Sequence, residues 1–146
     1  MNLLFVCTGN TCRSAMAEAI VKDKRLANID VRSAGLNATQ GANMSANAQL
    51  VLHEASIMHE HSASQLTEEA LKWADLILTM TVTHRDAIKL NVRDVADKTY
   101  TLKEYVATPG SLDVYDPYAG DIELYRDTFK ELEALIKTAM FKIEEA

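Results

Sequence analysis

Two cysteines five residues apart, with an arginine directly after the second, stand almost at the start of the chain in Phe5–Ala15, "FVCTGNTCRSA". A loop that holds a phosphate must bring backbone N–H groups onto its oxygens, so it needs small or flexible residues that permit close approach. Thr8, Gly9, Asn10 and Thr11 meet that need. A helix beginning at Ser14 and Ala15 would aim its free N–H groups and the positive end of its dipole at the same anion. The planar fork of Arg13 can grip two phosphate oxygens at once. Cys7, at the bottom of such a cradle, would be favoured as thiolate and poised for in-line attack on phosphorus, with a phosphocysteine as product. The Ser14 hydroxyl is placed to hydrogen-bond the sulfur.

Phosphoryl transfer also requires a proton for the leaving group. "VYDPYAGD", Val114–Asp121, offers Asp116, stiffened by Pro117 and followed by the aromatic Tyr118. The same carboxylate would later activate the water that hydrolyses phosphocysteine. Tyr118, and Leu36 after "RSAG", are expected to line the cleft.

These residues need a scaffold. "NLLFV" reads as a buried strand, and Ala15–Lys24 as a helix with Met16, Ala19 and Ile20 on one face. Ile29–Gly35 reads as a second strand, Asn43–Ala55 as a helix, and Thr67 as the N-cap of another. Asp75–Met80 is a third strand followed by a helix over Thr83–Leu90, and Lys98–Leu102 is a candidate fourth. Lys98–Gly120 lacks a helical period and contains both prolines. Asp121 caps a final helix, where Phe129, Leu132, Leu135, Ile136, Met140 and Ile143 recur at three- and four-residue spacings. Trp73 is expected in the core. Strands separated by helices predict an α/β fold, a doubly wound four-stranded parallel sheet with helices on both faces. Such sheets bind ligands beyond the carboxyl ends of their strands, where "CTGNTCRS" falls.

The chain has 146 residues, expected to form one domain over 1–146, with 48% hydrophobic and 25% charged residues. Its net charge is −6 and its 15 Lys and Arg are scattered, which argues against nucleic acid as a partner. No apolar run is long enough for a membrane span, and "MNLLFV" lacks the basic flank of a secretory signal, so a cytoplasmic protein is expected. Two thiols make neither a disulfide scaffold nor a four-ligand zinc site, which leaves reactivity as their reason. No G-x-x-x-x-G-K-[ST] nucleotide loop is present. His53, His59 and His61 do not spell H-E-x-x-H and read as a surface helix end, with no metal expected.

Together "VCTGNTCRSAMAEA", "VRSAG" and "DPYAGD" resemble the low-molecular-weight protein tyrosine phosphatases over essentially the whole chain. The resemblance implies Cys7 as nucleophile, Arg13 as phosphate ligand and Asp116 as general acid and base. It implies that Asn10 braces the loop through Ser33, that Ser14 assists the thiolate, and that Cys12 can form a reversible disulfide with Cys7. Ala119 departs from the glycine common at that place. "CTGNTCRS" and "YTLKEYV" further resemble the bacterial protein arginine phosphatase branch, where a threonine at the place of Thr11 favours phosphoarginine and the aspartate can also grip the guanidinium.

The expected activity is thus hydrolysis of phosphorylated protein side chains by a monomer needing no cofactor, phosphoarginine ahead of phosphotyrosine. A thioredoxin-coupled arsenate reductase on the same scaffold would need relay cysteines beyond Cys12. A non-catalytic oxyanion-binding module would leave Cys7, Ser14 and Asp116 without a joint purpose.

Overall fold

A computed structural model describes residues 1–145. Its centre is a four-stranded parallel sheet built from β1 (Asn2–Cys7), β2 (Asp30–Gly35), β3 (Leu76–Thr79) and β4 (Thr99–Thr101), in the order β2-β1-β3-β4. Between them run α1 (Arg13–Asp23), α2 (Ala46–Glu54), α3 (Glu68–Trp73) and α4 (Val82–Asn91); α5 (Leu102–Tyr105) and α6 (Ile122–Glu145) follow.

The apolar strands feed two cores, because successive side chains point to opposite faces. Leu3, Phe5 and Cys7 of β1 and Leu76 and Leu78 of β3 enter one core, with α1, α2 and α6. Leu4, Val6 and Ile77 enter the other, closed by Leu71 and Ala74 at α3, Ile88 of α4 and Val95. Helices on both faces are what a continuous apolar strand requires. On α6, Tyr125, Phe129, Leu132, Leu135, Ile136, Ala139 and Met140 form one buried stripe, against α1 and α2. Among the described residues no helix is long and apolar enough to cross a membrane.

The caps follow local chemistry. Thr67 accepts from the Ala70 N–H, and Asp121 Oδ1 accepts from Leu124 N at 3.0 Å. The helix after the first loop begins at Arg13, ahead of the expected Ser14–Ala15. The segment after residue 98 is more structured than its sequence suggests. A 3-10 turn over Arg93–Lys98 leads into it, and Thr101 and Glu104 close a reciprocal capping box on the one-turn helix α5. One turn is too short to show a period. Trp73 is only half-buried, with the Arg32 guanidinium 4.0 Å from its ring centroid.

β1 lies between β2 and β3, so the chain leaves its carboxyl end where the strand order reverses. That crevice is where a sheet of this kind opens to ligand.

Candidate active site

The loop from Cys7 to Arg13 can curl tightly because β2 ends in glycine. A Cβ on Gly35 would lie 2.4 Å from the Thr8 carbonyl oxygen and 3.0 Å from Asn10 N, so any side chain there would push the loop away. Inside the loop the left-handed residue is Asn10, at φ 58°, rather than Gly9, whose Cβ would meet nothing closer than 3.7 Å. Asparagine tolerates that conformation better than most residues with a side chain.

Asn10 is fully buried behind the loop, with every polar atom of its amide engaged. Nδ2 donates to Ser14 Oγ at 2.8 Å and to Ser33 Oγ at 2.9 Å, and Oδ1 accepts from Ser64 N at 2.9 Å. Because Ser14 Oγ accepts from Asn10, its own hydrogen is free for Cys7 Sγ, 2.8 Å away. Ser33 in turn donates to Glu18 Oε1 at 2.5 Å. A chain of polarised hydrogen bonds thus runs from a carboxylate to the thiol. The Asn10 carbonyl is held at 2.6 Å by His61 Nε2, the donor in this pair.

On the other flank, Thr8 Oγ1 is 2.9 Å from Nε2 of the buried His84. Burial, and then the Arg13 charge, push the His84 imidazole down to about 4, so it is neutral near pH 7. His84 Nδ1 is buried without a partner; a proton on Nε2, donated to Thr8, leaves only a lone pair orphaned. Thr8 then keeps its own hydroxyl proton for the cleft.

Arg13 is 4% exposed. Its Nη1 donates to the Val114 carbonyl at 3.1 Å, and Nη2 lies 3.5 Å from Asp116 Oδ2. Asp116 stays half-exposed; its Oδ1 accepts from Tyr118 N at 3.0 Å, turning the loop after Pro117. Ala119 adopts φ 65°, the left-handed conformation that glycine takes without penalty, which accounts for the glycine common there. Cys12 Sγ lies 3.3 Å from Tyr125 Oη and 3.5 Å from Ser45 Oγ. Burial pushes the Tyr125 phenol up to about 12.

These groups enclose a cleft of about 270 Å3 lined by Cys7, Thr8, Gly9, Thr11, Cys12, Arg13, Asp116 and Tyr118. Three expected contacts fall elsewhere. Leu36 leans on the apolar core of Leu4 and Val6, and Asn10 and Ser14 turn their side chains behind the loop. His53 is exposed in the last turn of α2, but His59 lies beyond that helix with its side chain only 4% exposed. His84, Ser64, Glu18 and the Val114 carbonyl support the site without having been singled out, as does His61, expected only at a surface helix end. Their partners lie 51 to 101 positions away, except for the Ser33–Glu18 pair 15 apart, and nothing in the local pattern marks them.

A thiol at the floor of a backbone cradle, with an arginine in its wall and a carboxylate across its mouth, on this sheet, defines a cysteine-based phosphatase. The chain belongs to the family described as low molecular weight phosphotyrosine protein phosphatase, which it matches over residues 2–146. It is 45% identical to a protein-arginine-phosphatase of Geobacillus stearothermophilus, covering 97% of this chain and 95% of the relative. It is 41% identical to the low molecular weight protein-tyrosine-phosphatase PtpB of Staphylococcus haemolyticus, covering 93% and 95%. Among solved structures, the YwlE arginine phosphatase from Geobacillus stearothermophilus superposes with a TM-score of 0.95 at 43% identity, covering 99% and 93%. A YwlE arginine phosphatase C7S mutant with phosphorylated active site serine gives 0.91 at 42%, covering 99% and 96%.

Proposed function

We propose that this phosphatase removes phosphate from phosphoarginine side chains of proteins, with Cys7 as nucleophile, Arg13 as phosphate clamp and Asp116 as general acid and base. The Cys7 thiolate attacks phosphorus while the P–N bond breaks, and Asp116 delivers its proton to the departing guanidine nitrogen, which leaves as guanidinium. Water then attacks phosphorus, Asp116 takes up its proton, the S–P bond breaks, and inorganic phosphate leaves with the thiolate restored. Ser14 donates to the sulfur, which steadies it as attacker and as leaving group. Loop N–H groups, Thr8 and Arg13 share the charge of the equatorial oxygens. No step calls for a metal. The phosphorylated serine in the C7S relative supports a covalent phosphoryl group at the position of Cys7.

The observation that carries the substrate is Thr11 on the wall of the same cleft as Cys7 and Asp116. A small hydroxylated side chain leaves room and polar company for a planar guanidinium, and Asp116, once it has given up its proton, matches the departing guanidinium in charge and shape. Relatives named for arginine phosphatase activity, at 45% and 44% identity, support the same reading. The exposed ring of Tyr118 on the rim would flank a phosphotyrosine equally well, which makes tyrosine the second substrate to compare. Parallel kinetics on phosphoarginine and phosphotyrosine peptides should give the higher kcat/KM for phosphoarginine. A preference for phosphotyrosine would overturn the substrate. Cys7→Ser should fold, bind phosphate and lose turnover; turnover near that of the wild type would overturn the mechanism.

A further inference from the structure

Behind the phosphate loop, on the side away from the cleft, one donor atom each from Glu18, His59 and His61 lie within 4.8 Å of one another. The His59 side chain is 4% exposed, yet its Nε2 has no hydrogen-bond partner and stands 3.9 Å from Glu18 Oε2. A buried polar atom without a partner carries a desolvation cost that some ligand would relieve. His61 donates from Nε2 to the Asn10 carbonyl, which leaves its lone pair on Nδ1. A ring whose second nitrogen donates to a backbone carbonyl is the arrangement that orients a metal-bound histidine. Glu18 is oriented likewise, by the Ser33 hydroxyl on Oε1, and its Oε2 faces the histidines.

We propose that Glu18, His59 and His61 form a binding site for a divalent transition metal of the zinc class, backing the phosphate loop. Two imidazoles and one carboxylate suit Zn2+, with water as fourth ligand. Zinc bonds of about 2.1 Å at tetrahedral angles place donors about 3.4 Å apart. The His59–Glu18 pair is within half an ångström of that, and the third donor must close further. The Lys22 ammonium, 2.6 Å from Glu18 Oε2, occupies the charge position an ion would take. Its side chain is half-exposed and can swing into water. Entry is open: Glu18, Lys22 and His61 line one surface groove, and Lys22 and His59 line another. The ion would act through His61 on the Asn10 carbonyl rather than on substrate.

Zn2+ titrated calorimetrically into the Cys7→Ser protein, which lacks the competing thiolate, should bind one ion per chain. His59→Gln in that background should weaken binding by about tenfold or more, whereas His53→Gln, at an exposed histidine outside the cluster, should not. Absence of saturable binding, or equal affinity with and without His59, overturns the site. Co2+ in the Cys7→Ser protein should show the weak visible bands of tetrahedral nitrogen and oxygen ligation. An intense thiolate charge-transfer band would place the ion on Cys12 and overturn the proposal without reference to any histidine variant.

Discussion

At the residue scale, each atom of the site is useful through the hydrogen it gives or withholds. Asn10 occupies one lone pair of Ser14 Oγ and leaves the serine hydrogen for the Cys7 thiolate, which can only accept. A hydrogen bond to a charged group is worth about 1.5–3 kcal/mol, so Ser14→Ala should slow turnover by roughly 10- to 150-fold. Single-turnover kinetics with an aryl phosphate will show that loss; a rate within twofold of wild type would count against the relay. Thr11 has a different task. Thr11→Ile adds apolar bulk and removes a hydroxyl where a guanidinium needs polar neighbours, and a tyrosine ring would suffer less. The ratio of kcat/KM for phosphoarginine over phosphotyrosine should fall by roughly 5- to 150-fold, the worth of an unpaired buried polar group. An unchanged ratio would remove Thr11 as the determinant.

At the element scale, the loop is shaped by the strand beside it. Gly35 lets the Thr8 carbonyl pass where a Cβ would sit, and the three atoms nearest that position all belong to backbone that cannot step aside. Gly35→Ala should therefore displace the phosphate loop, abolish inorganic phosphate binding, and lower stability by about 1–3 kcal/mol. Phosphate binding at wild-type affinity would contradict this. The sheet, its helices and the residues of the cleft were legible because each leaves a local pattern: apolar runs, caps, a glycine at a strand end. Composition marks Gly9 and Asn10 alike as residues of a tight loop, whereas the fold gives the left-handed conformation to Asn10, whose amide must face backward to reach Ser33 and Ser64. Leu36 is expected in the cleft from its neighbours in sequence, yet the chain turns there and packs it, half-buried, on the opposite core. His84 and the Val114 carbonyl could not be read at all, since their roles exist only across 76 and 101 positions of chain.

For the whole molecule, His84 ties the site to the acid limit of the fold. Its ordinary value near 6.5 falls to about 4 when folded. Between those values the unfolded chain binds a proton that the native protein refuses, so this contribution to stability is full above pH 6.5 and is lost as pH falls toward 4. The loss is of order 3 kcal/mol. Urea midpoints at pH 7 and pH 4.5 should diverge more for wild type than for His84→Gln, which has no proton to take up. Equal divergence would mean that other groups set the acid limit. The two cysteines line one cleft, and peroxide should join Cys7 to Cys12 through a sulfenic acid, reversibly with thiols. Mass spectrometry of the oxidised protein will find that bridge or refute it.

The Arg13 side chain, spanning 101 residues to the Val114 carbonyl, also sets the order of events in folding. Ring closure over so long a stretch comes after the local helices and hairpin-range contacts, because chain entropy must be overcome first. A ribosome-bound chain that has not yet emitted Val114 holds Cys7 and Arg13 without the carbonyl that orients the guanidinium. Competence should consequently appear last: in refolding from urea, recovery of aryl phosphate turnover should lag the helical circular dichroism signal. If both return in a single phase, loop and clamp assemble together with the sheet.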